Sequence, residues 1–284
     1  MTIIELNEDN AGKYEDYLTP DVAENLSRQY YKGILVQDET SENLLAGIVF
    51  ELIGVDEKTP TEAAIRWLKI DDEAAAENLF ASYKEEINSS DVKLSTFVIP
   101  VEDSQKAKVA LKAAGFKVKL TEGDNIIVTL DELLKLPIMK NRKIPDSISP
   151  LNQMTTRIFR QAISKSVMLG RKGVCEDLSN LPLSWFDPDV SCYSEQNGTV
   201  DGLLLFHMLP SRMLTIQLMV ALSGNAQPII LGMMRKFVIS LEETYGSDMK
   251  VVLNRHNQSS LELTEKLLPR GFGIPVYKGS RQEQ

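Results

Sequence analysis

Apolar positions along the chain alternate between a spacing of two and a spacing near 3.6 residues, which predicts strands interleaved with helices. Residues 2–6 are apolar and β-branched and predict a strand; helical stretches follow at 11–18 and 21–30, the second opening on Pro20-Asp21. Strand-like runs at 34–37 and 44–53 flank the polar stretch 38–43, which reads as an antiparallel hairpin. A third strand over 63–70 leads into 72–87, where Ala76, Leu79, Phe80, Tyr83 and Ile87 recur at helical spacing, and 92–99 returns to strand pattern. Ser104 is placed to cap a helix over 105–114, and Gly115 supplies the left-handed stop that helix ends favour. Residues 116–119 and 126–130 then predict a closing hairpin around Glu122-Gly123-Asp124.

The second half runs in the same order. A helix over 151–166 and a shorter one near 175–180 precede strands at 190–194 and 202–208, which are joined by the hairpin dipeptide Asn197-Gly198. Residues 213–222 predict a long central strand, and Pro228 opens a helix running to about Tyr245. A strand at 250–253 and a helix over 260–268 complete the match, closing at Gly271-Phe272.

The spacing of landmarks points to duplication. Gly47 lies 68 residues before Gly115-Phe116, and Gly202 lies 69 before Gly271-Phe272. A period near 156 is too long for a solenoid repeat, so two copies of one domain are expected: 1–134, a linker over 135–150 carrying three prolines and a basic run, and 151–284. Only 12 residues follow Phe272, so the second copy lacks the final strand that 126–130 gives the first; a strand from the other copy or from a second chain is expected to cover that edge.

Composition narrows the function classes. The chain has 284 residues, 43% apolar and 25% charged, an ordinary globular balance. The longest uncharged apolar stretch, 213–221, falls far short of the ~20 residues of a membrane helix, and the first ten residues are acidic where a signal peptide is basic, so a cytoplasmic protein without membrane partners is expected. Residues 1–140 carry 15 Lys+Arg against 27 Asp+Glu and the remainder 16 against 13, so polyanions meet the second half sooner. No basic stripe interleaves with aromatics, which argues against nucleic acid. Cys175 and Cys192 form no CxxC and have only His207 and His256 as nitrogen neighbours, so neither a disulfide framework nor a metal site is read.

Each copy reads strand, two helices, antiparallel strands, then strand, helix, strand, helix and a Gly-Phe. That order, with the stretch from Asn257-Gln-Ser through Pro269-Arg-Gly271-Phe272 and its counterpart from Ser104 to Gly115-Phe116, resembles the GNAT N-acetyltransferase superfamily. The resemblance implies an α/β (α+β) fold of two GNAT-like domains, each a mixed, mainly antiparallel sheet flanked by helices. In that family the fourth strand splays from the fifth. A glycine-bearing loop after the fourth strand then opens a helix whose unpaired N–H groups take the coenzyme A pyrophosphate.

The first copy places Asp71-Asp72-Glu73 at this loop, with no glycine, and is expected to bind no coenzyme, because carboxylates repel pyrophosphate while suiting the helix dipole as ordinary first-turn residues. The family's frequent tyrosine acid falls at Leu111, which transfers no proton. The second copy reads Leu222-Ser223-Gly224-Asn225-Ala226, without acid. The resemblance therefore implies a site for acetyl-CoA or coenzyme A on Ser223, Gly224, Asn225 and Ala226, with the backbone of Met219 and Val220 along the pantetheine. Thr264 stands near the tyrosine position. His256 is the candidate general base, because strand 213–222 has no carboxylate or histidine and imidazole, with a reference pKa of ~6.5, suits proton transfer. His207 reads as a half-buried structural residue, and Cys192 and Tyr193 point to opposite faces of their strand.

Two functions follow: an acyl-CoA-dependent N-acyltransferase acting on a small-molecule amine or another acceptor from the second copy, or a catalytically inactive tandem GNAT-like module that binds a ligand or a protein. Monomer and homodimer are both compatible with the sequence.

Overall fold

A computed structural model of the chain describes residues 1–54, 61–102, 104–169, 178–224, 226–254, 261–262, 264–265 and 273–283. In chain order the elements are β1 (Thr2–Leu6), α1 (Glu8–Ala11), α2 (Pro20–Asn25), β2 (Tyr31–Gln37), β3 (Leu44–Ile53), β4 (Thr61–Ile70), α3 (Glu73–Ser89), β5 (Val92–Pro100), α4 (Gln105–Ala113) and β6 (Lys117–Thr129). There follow α5 (Leu130–Leu134), β7 (Ile148–Pro150), α6 (Thr156–Met168), β8 (Cys192–Gln196), β9 (Thr199–Met208), β10 (Leu214–Ala221), α7 (Ala226–Thr244), β11 (Lys250–Asn254) and β12 (Gly273–Gln282).

The chain divides into two compact units, Met1–Gly123 with Ile274–Gln284, and Asp124–Gly273. These do not coincide with two sequential halves. The first unit takes in β12, and the second takes in the latter part of β6.

In the first unit the strand order is β1-β2-β3-β4-β5-β12-β6. Neighbours from β1 to β4 are antiparallel, β4 and β5 are parallel, and β12 runs antiparallel to β5 from Val276↔Pro100 to Gln282↔Leu94. Strand alternation gives the sheet two apolar faces. Ile48, Phe50, Ile65 and Phe97 pack with Leu79 and Tyr83 of α3 and Leu111 of α4. The opposite face buries Leu35 and Val49 under Leu18 and Leu26 from the region of α1 and α2. Burying each large apolar side chain contributes about 2–3 kcal/mol, and Phe50 meets Tyr83 edge to face at 5.0 Å.

In the second unit the order is β6-β11-β10-β9-β8-β7. Here β10 and β11 are parallel and all other neighbours antiparallel. One face packs Leu204 and Phe206 on Met233, Phe237 and Leu241 of α7, with Phe206 and Phe237 stacked at 4.0 Å. The other packs Leu203 and Leu205 on Phe159 of α6 and on Phe186. The stretch 135–150, expected as a linker, contributes Leu136, Ile138, Met139 and Ile148 to the α7 face. Asn197 and Gly198, at φ 52° and 74°, form the expected hairpin turn.

Several expectations are corrected. No hairpin forms at Glu122-Gly123-Asp124: β6 runs through it as one strand. Gly123 is needed there for close approach instead of a turn, because a Cβ would lie 2.4 Å from the Ile274 carbonyl oxygen. Ser104 does not cap α4; its hydroxyl donates backward to the carbonyls of Pro100 and Val101. The first two helices are shorter than expected, because an Asn7/Asn10 capping box starts α1 upstream and α2 ends at Asn25. A final strand does follow Phe272, and it is β12, whose partner β5 lies in the first unit. The edge of β11 is covered by residues 125–129 of β6, from Lys250↔Thr129 to Asn254↔Asn125.

Candidate functional site

The two units share one irregularity, and it positions the site. In the first, the β3–β4 register shifts between Val49↔Trp67 and Phe50↔Ile65, leaving Arg66 as the extra residue of a bulge. In the second, the β9–β10 register shifts between Phe206↔Ile216 and Leu205↔Leu218, leaving Gln217 extra. At the same place the parallel partner falls away. Among the described residues the pairing of β4 with β5 ends at Ile65↔Phe97 and that of β10 with β11 at Thr215↔Val252, although all four strands continue. Each unit therefore has a strand whose outer edge, beyond the bulge, offers backbone groups to a gap.

The helix that follows differs between the units. In the first, Asp72 is the N-cap of α3 and its carboxylate accepts from the Ala75 N–H at 2.9 Å, with Glu73 in the first turn. The N–H groups of Asp71 and Asp72 both donate to the Leu45 carbonyl. The N–H groups of Asp71, Asp72 and Ala75 thus already have acceptors, and a carboxylate stands at the helix dipole. Beside it, Lys69 Nζ lies 3.8 Å from Asp71 and 4.1 Å above the Tyr17 ring, while Lys106 donates to the Asp71 carbonyl. Burial and the nearby Asp71 carboxylate raise the Tyr17 hydroxyl above the ordinary phenol range.

In the second unit, Leu222 donates to the Asp201 carbonyl at 2.7 Å and α7 begins at Ala226. Ser223 is half-buried, Gly224 and Ala226 are exposed, and no atom lies within 4 Å of the Cβ that Gly224 lacks. Met219 faces α7 and Val220 the α6 side, as strand alternation requires. Consecutive strand residues turn their backbone groups to opposite edges, so one of the two presents both N–H and C=O to the gap. Structure thus brings Met219, Val220, Ser223, Gly224 and Ala226 together at one end of β10. Asn225 and His256 lie outside the described residues, as do Cys175 and Gly271-Phe272.

Around the bulges the polar residues also differ. In the first unit Glu51, on β3, accepts from Arg66 Nε and Nη2 at 2.9 and 2.6 Å and from the Tyr31 hydroxyl at 3.1 Å. In the second, His207 occupies the corresponding place on β9, opposite Thr215. Its ring stacks on Trp185 at 3.6 Å and 2°, and Nδ1 lies 2.6 Å from the Trp185 carbonyl oxygen. Sequence reasoning missed Trp185, which sits in a 3-10 turn, Leu183–Trp185, distant along the chain. The Thr264 hydroxyl donates to the Leu261 carbonyl, and Leu111 is wholly buried. Cys192 lies in the α7-side core and Tyr193 in the α6-side core; burial pushes the Cys192 thiol up to about 12. Asp201 Oδ1 and Ser194 Oγ are buried without a hydrogen-bond partner. Among the described residues no group of three His, Cys, Asp or Glu side chains is arranged to hold a metal, and no helix is long and apolar enough to cross a membrane.

No family model matches the chain, and no curated protein matches it. Solved structures do. A tandem GNAT protein from the clavulanic acid biosynthesis pathway, solved without AcCoA, superposes with a TM-score of 0.60 at 11% identity, over 99% of this chain and 98% of that one. A conserved protein of unknown function from Bacteroides thetaiotaomicron gives 0.56 at 8% identity over 99% of this chain and 100% of that one. A GCN5-related N-acetyltransferase from Kribbella flavida gives 0.51 at 11% identity over 83% and 87%. The likeness spans both units and is one of fold.

Proposed function

We propose, from the premise that this chain has the tandem GNAT fold, that it is an acyl-coenzyme A-dependent N-acyltransferase whose donor site lies in the second unit. The observation that carries the reading is the contrast between two equivalent strand-to-helix connections: the first ends on a helix capped by its own carboxylate, the second on a loop with no acid and open space at Gly224. Ser223, Gly224, Asn225 and Ala226 would hold the pyrophosphate through backbone N–H groups at the start of α7, where the helix dipole favours negative charge. Met219 and Val220 would run along the pantetheine. The acceptor is an amine, small-molecule or otherwise. The protein is expected to work in the cytoplasm without nucleic acid or membrane.

Isothermal titration calorimetry of coenzyme A and acetyl-CoA at low salt tests this reading. One site per chain is expected, and Gly224→Asp should weaken it at least about tenfold by placing a carboxylate beside the phosphates. The open surroundings of Gly224 keep the fold intact. Absence of heat up to millimolar ligand would overturn the reading. The second reading, an inactive tandem module that binds a ligand or a protein, draws its support from β10 itself, which has no titratable side chain between Leu214 and Ala221.

A further inference from the structure

Helix α6 has one face in the core and one in water. Phe159, Ala162 and Ile163 pack with Leu203 and Leu205 of β9, whereas Met168 is 86% and Val167 57% exposed, with Ile158 exposed on the same helix. The exposed Arg157 and Arg160 stand among these apolar groups, and no carboxylate occurs from Ser147 to Leu169. Lys165, the third cation of the helix, donates to the Val200 carbonyl at 3.4 Å. Among the described residues neither arginine has an ion pair or a hydrogen bond. A face rich in arginine and methionine and free of acid has the composition of surfaces that bury against protein. A helix that lies on a membrane turns its own apolar face to lipid, and that face of α6 is already spent on the sheet.

We infer that the outer face of α6 docks on a second copy of this chain, against the exposed face of that copy's α3. The charges are complementary: residues 1–140 carry 27 Asp+Glu against 15 Lys+Arg, while the α6 face carries cations alone. On α3 the carboxylates of Glu73, Glu77 and Glu85 are exposed and outside ion pairs, beside one exposed cation, Lys84. Two helical turns separate Glu77 from Glu85, about 12 Å along one stripe, with the exposed Ala81 between them. Arg157 and Met168 stand three turns apart on α6, about 16 Å by the same rise. The two stripes are thus of similar length. Guanidinium forks take carboxylates bidentately, and Met168 adapts to an irregular surface. Each chain carries both faces, so a pair of contacts can close a dimer. A single helix face is small beside the ~800 Å² per partner of a stable interface, so the association is weak and depends on concentration and salt. The inference does not draw on the donor site proposed above.

Sedimentation equilibrium of the full chain tests this. At about 0.1 mM protein the mean mass is expected to exceed that of a monomer in about 50 mM salt and to fall toward it in about 500 mM, where exposed charges are screened. Met168→Asp should weaken association at least about tenfold. Charge reversal on one face, by Arg157→Glu with Arg160→Glu or by Glu77→Arg with Glu85→Arg, should abolish association of either variant alone. An equal mixture of the two variants should restore it to within about threefold, because every α6 then finds an α3 of opposite sign; a loss of folding would not be repaired by mixing. A chain that stays monomeric in low salt, association indifferent to Met168→Asp, or a mixture no heavier than its parts overturns the inference. So does a monomer that sediments with phosphatidylglycerol vesicles and loses them in Met168→Asp, which would give the face to lipid.

Discussion

A methyl group at Gly279 has no room. Its Cβ would lie 1.7 Å from the Lys117 carbonyl oxygen and 2.7 Å from Phe97 Cε1, and backbone gives way far less easily than a side chain. Gly279→Ala is expected to cost about 2 kcal/mol or more, seen as a lower urea midpoint, whereas Gly224→Ala, in open space, should leave the midpoint unchanged. Gly123 obeys the same logic, which explains why Glu122-Gly123-Asp124 misleads: glycine between acids resembles a turn, but here it admits a neighbouring carbonyl. Cys192 yields a prediction of a different kind. Its pKa is raised to about 12 by burial, and the thiolate is the reactive form, so the thiol is protonated at pH 8 and shielded as well. In a Cys175→Ser background, a thiol reagent at pH 8 should find no reactive sulfur in the native protein and one after denaturation.

Elements were readable from sequence where their own residues determine them. The limits of β3, the helical stretch of α3, the Gly115 stop at φ 86° and the Asn197-Gly198 turn all depend on local periodicity or side-chain chemistry. What was not readable depends on partners. Bulges at Arg66 and Gln217 are properties of register between two strands, so no single segment announces them. Likewise the orientation of His207 is set by Trp185, 22 residues away. β12 escaped notice because its sequence, Gly-Ile-Pro-Val-Tyr-Lys-Gly-Ser-Arg-Gln, carries a proline and two glycines and is strand only by virtue of β5 beside it. Its contribution is measurable. Val276 and Tyr277 are buried, and Tyr277 belongs to the α3-side core; each such side chain is worth about 2 kcal/mol. Removal of residues 273–284 is expected to raise hydrogen exchange in β4 and β5 at least about tenfold while leaving α7 and β9 protected.

At the scale of the molecule, the two units share a sheet plan and differ at the strand-to-helix connection where the donor site is proposed. Both have the bulge and the parting of the parallel strands; they differ in the helix cap and in the polar residue beside the bulge, Glu51 in one and His207 in the other. The surplus of acid in residues 1–140 follows the same division, since carboxylates accumulate in the half whose helix N-terminus is already occupied by one. Charge in that half keeps the surface solvated.

One consequence concerns how such a chain is made. Synthesis delivers residues from the amino end, and domains commonly fold as they emerge. The sheet of the first unit, however, has β12 between β5 and β6, and β12 is encoded after every strand of the second. Its sheet therefore waits, incomplete, while the second unit, ending at Gly273, finishes first. The half that is translated early matures late, and the open edge of β5 is a period of exposure during which chaperones, or another nascent copy, find it before its own last strand arrives.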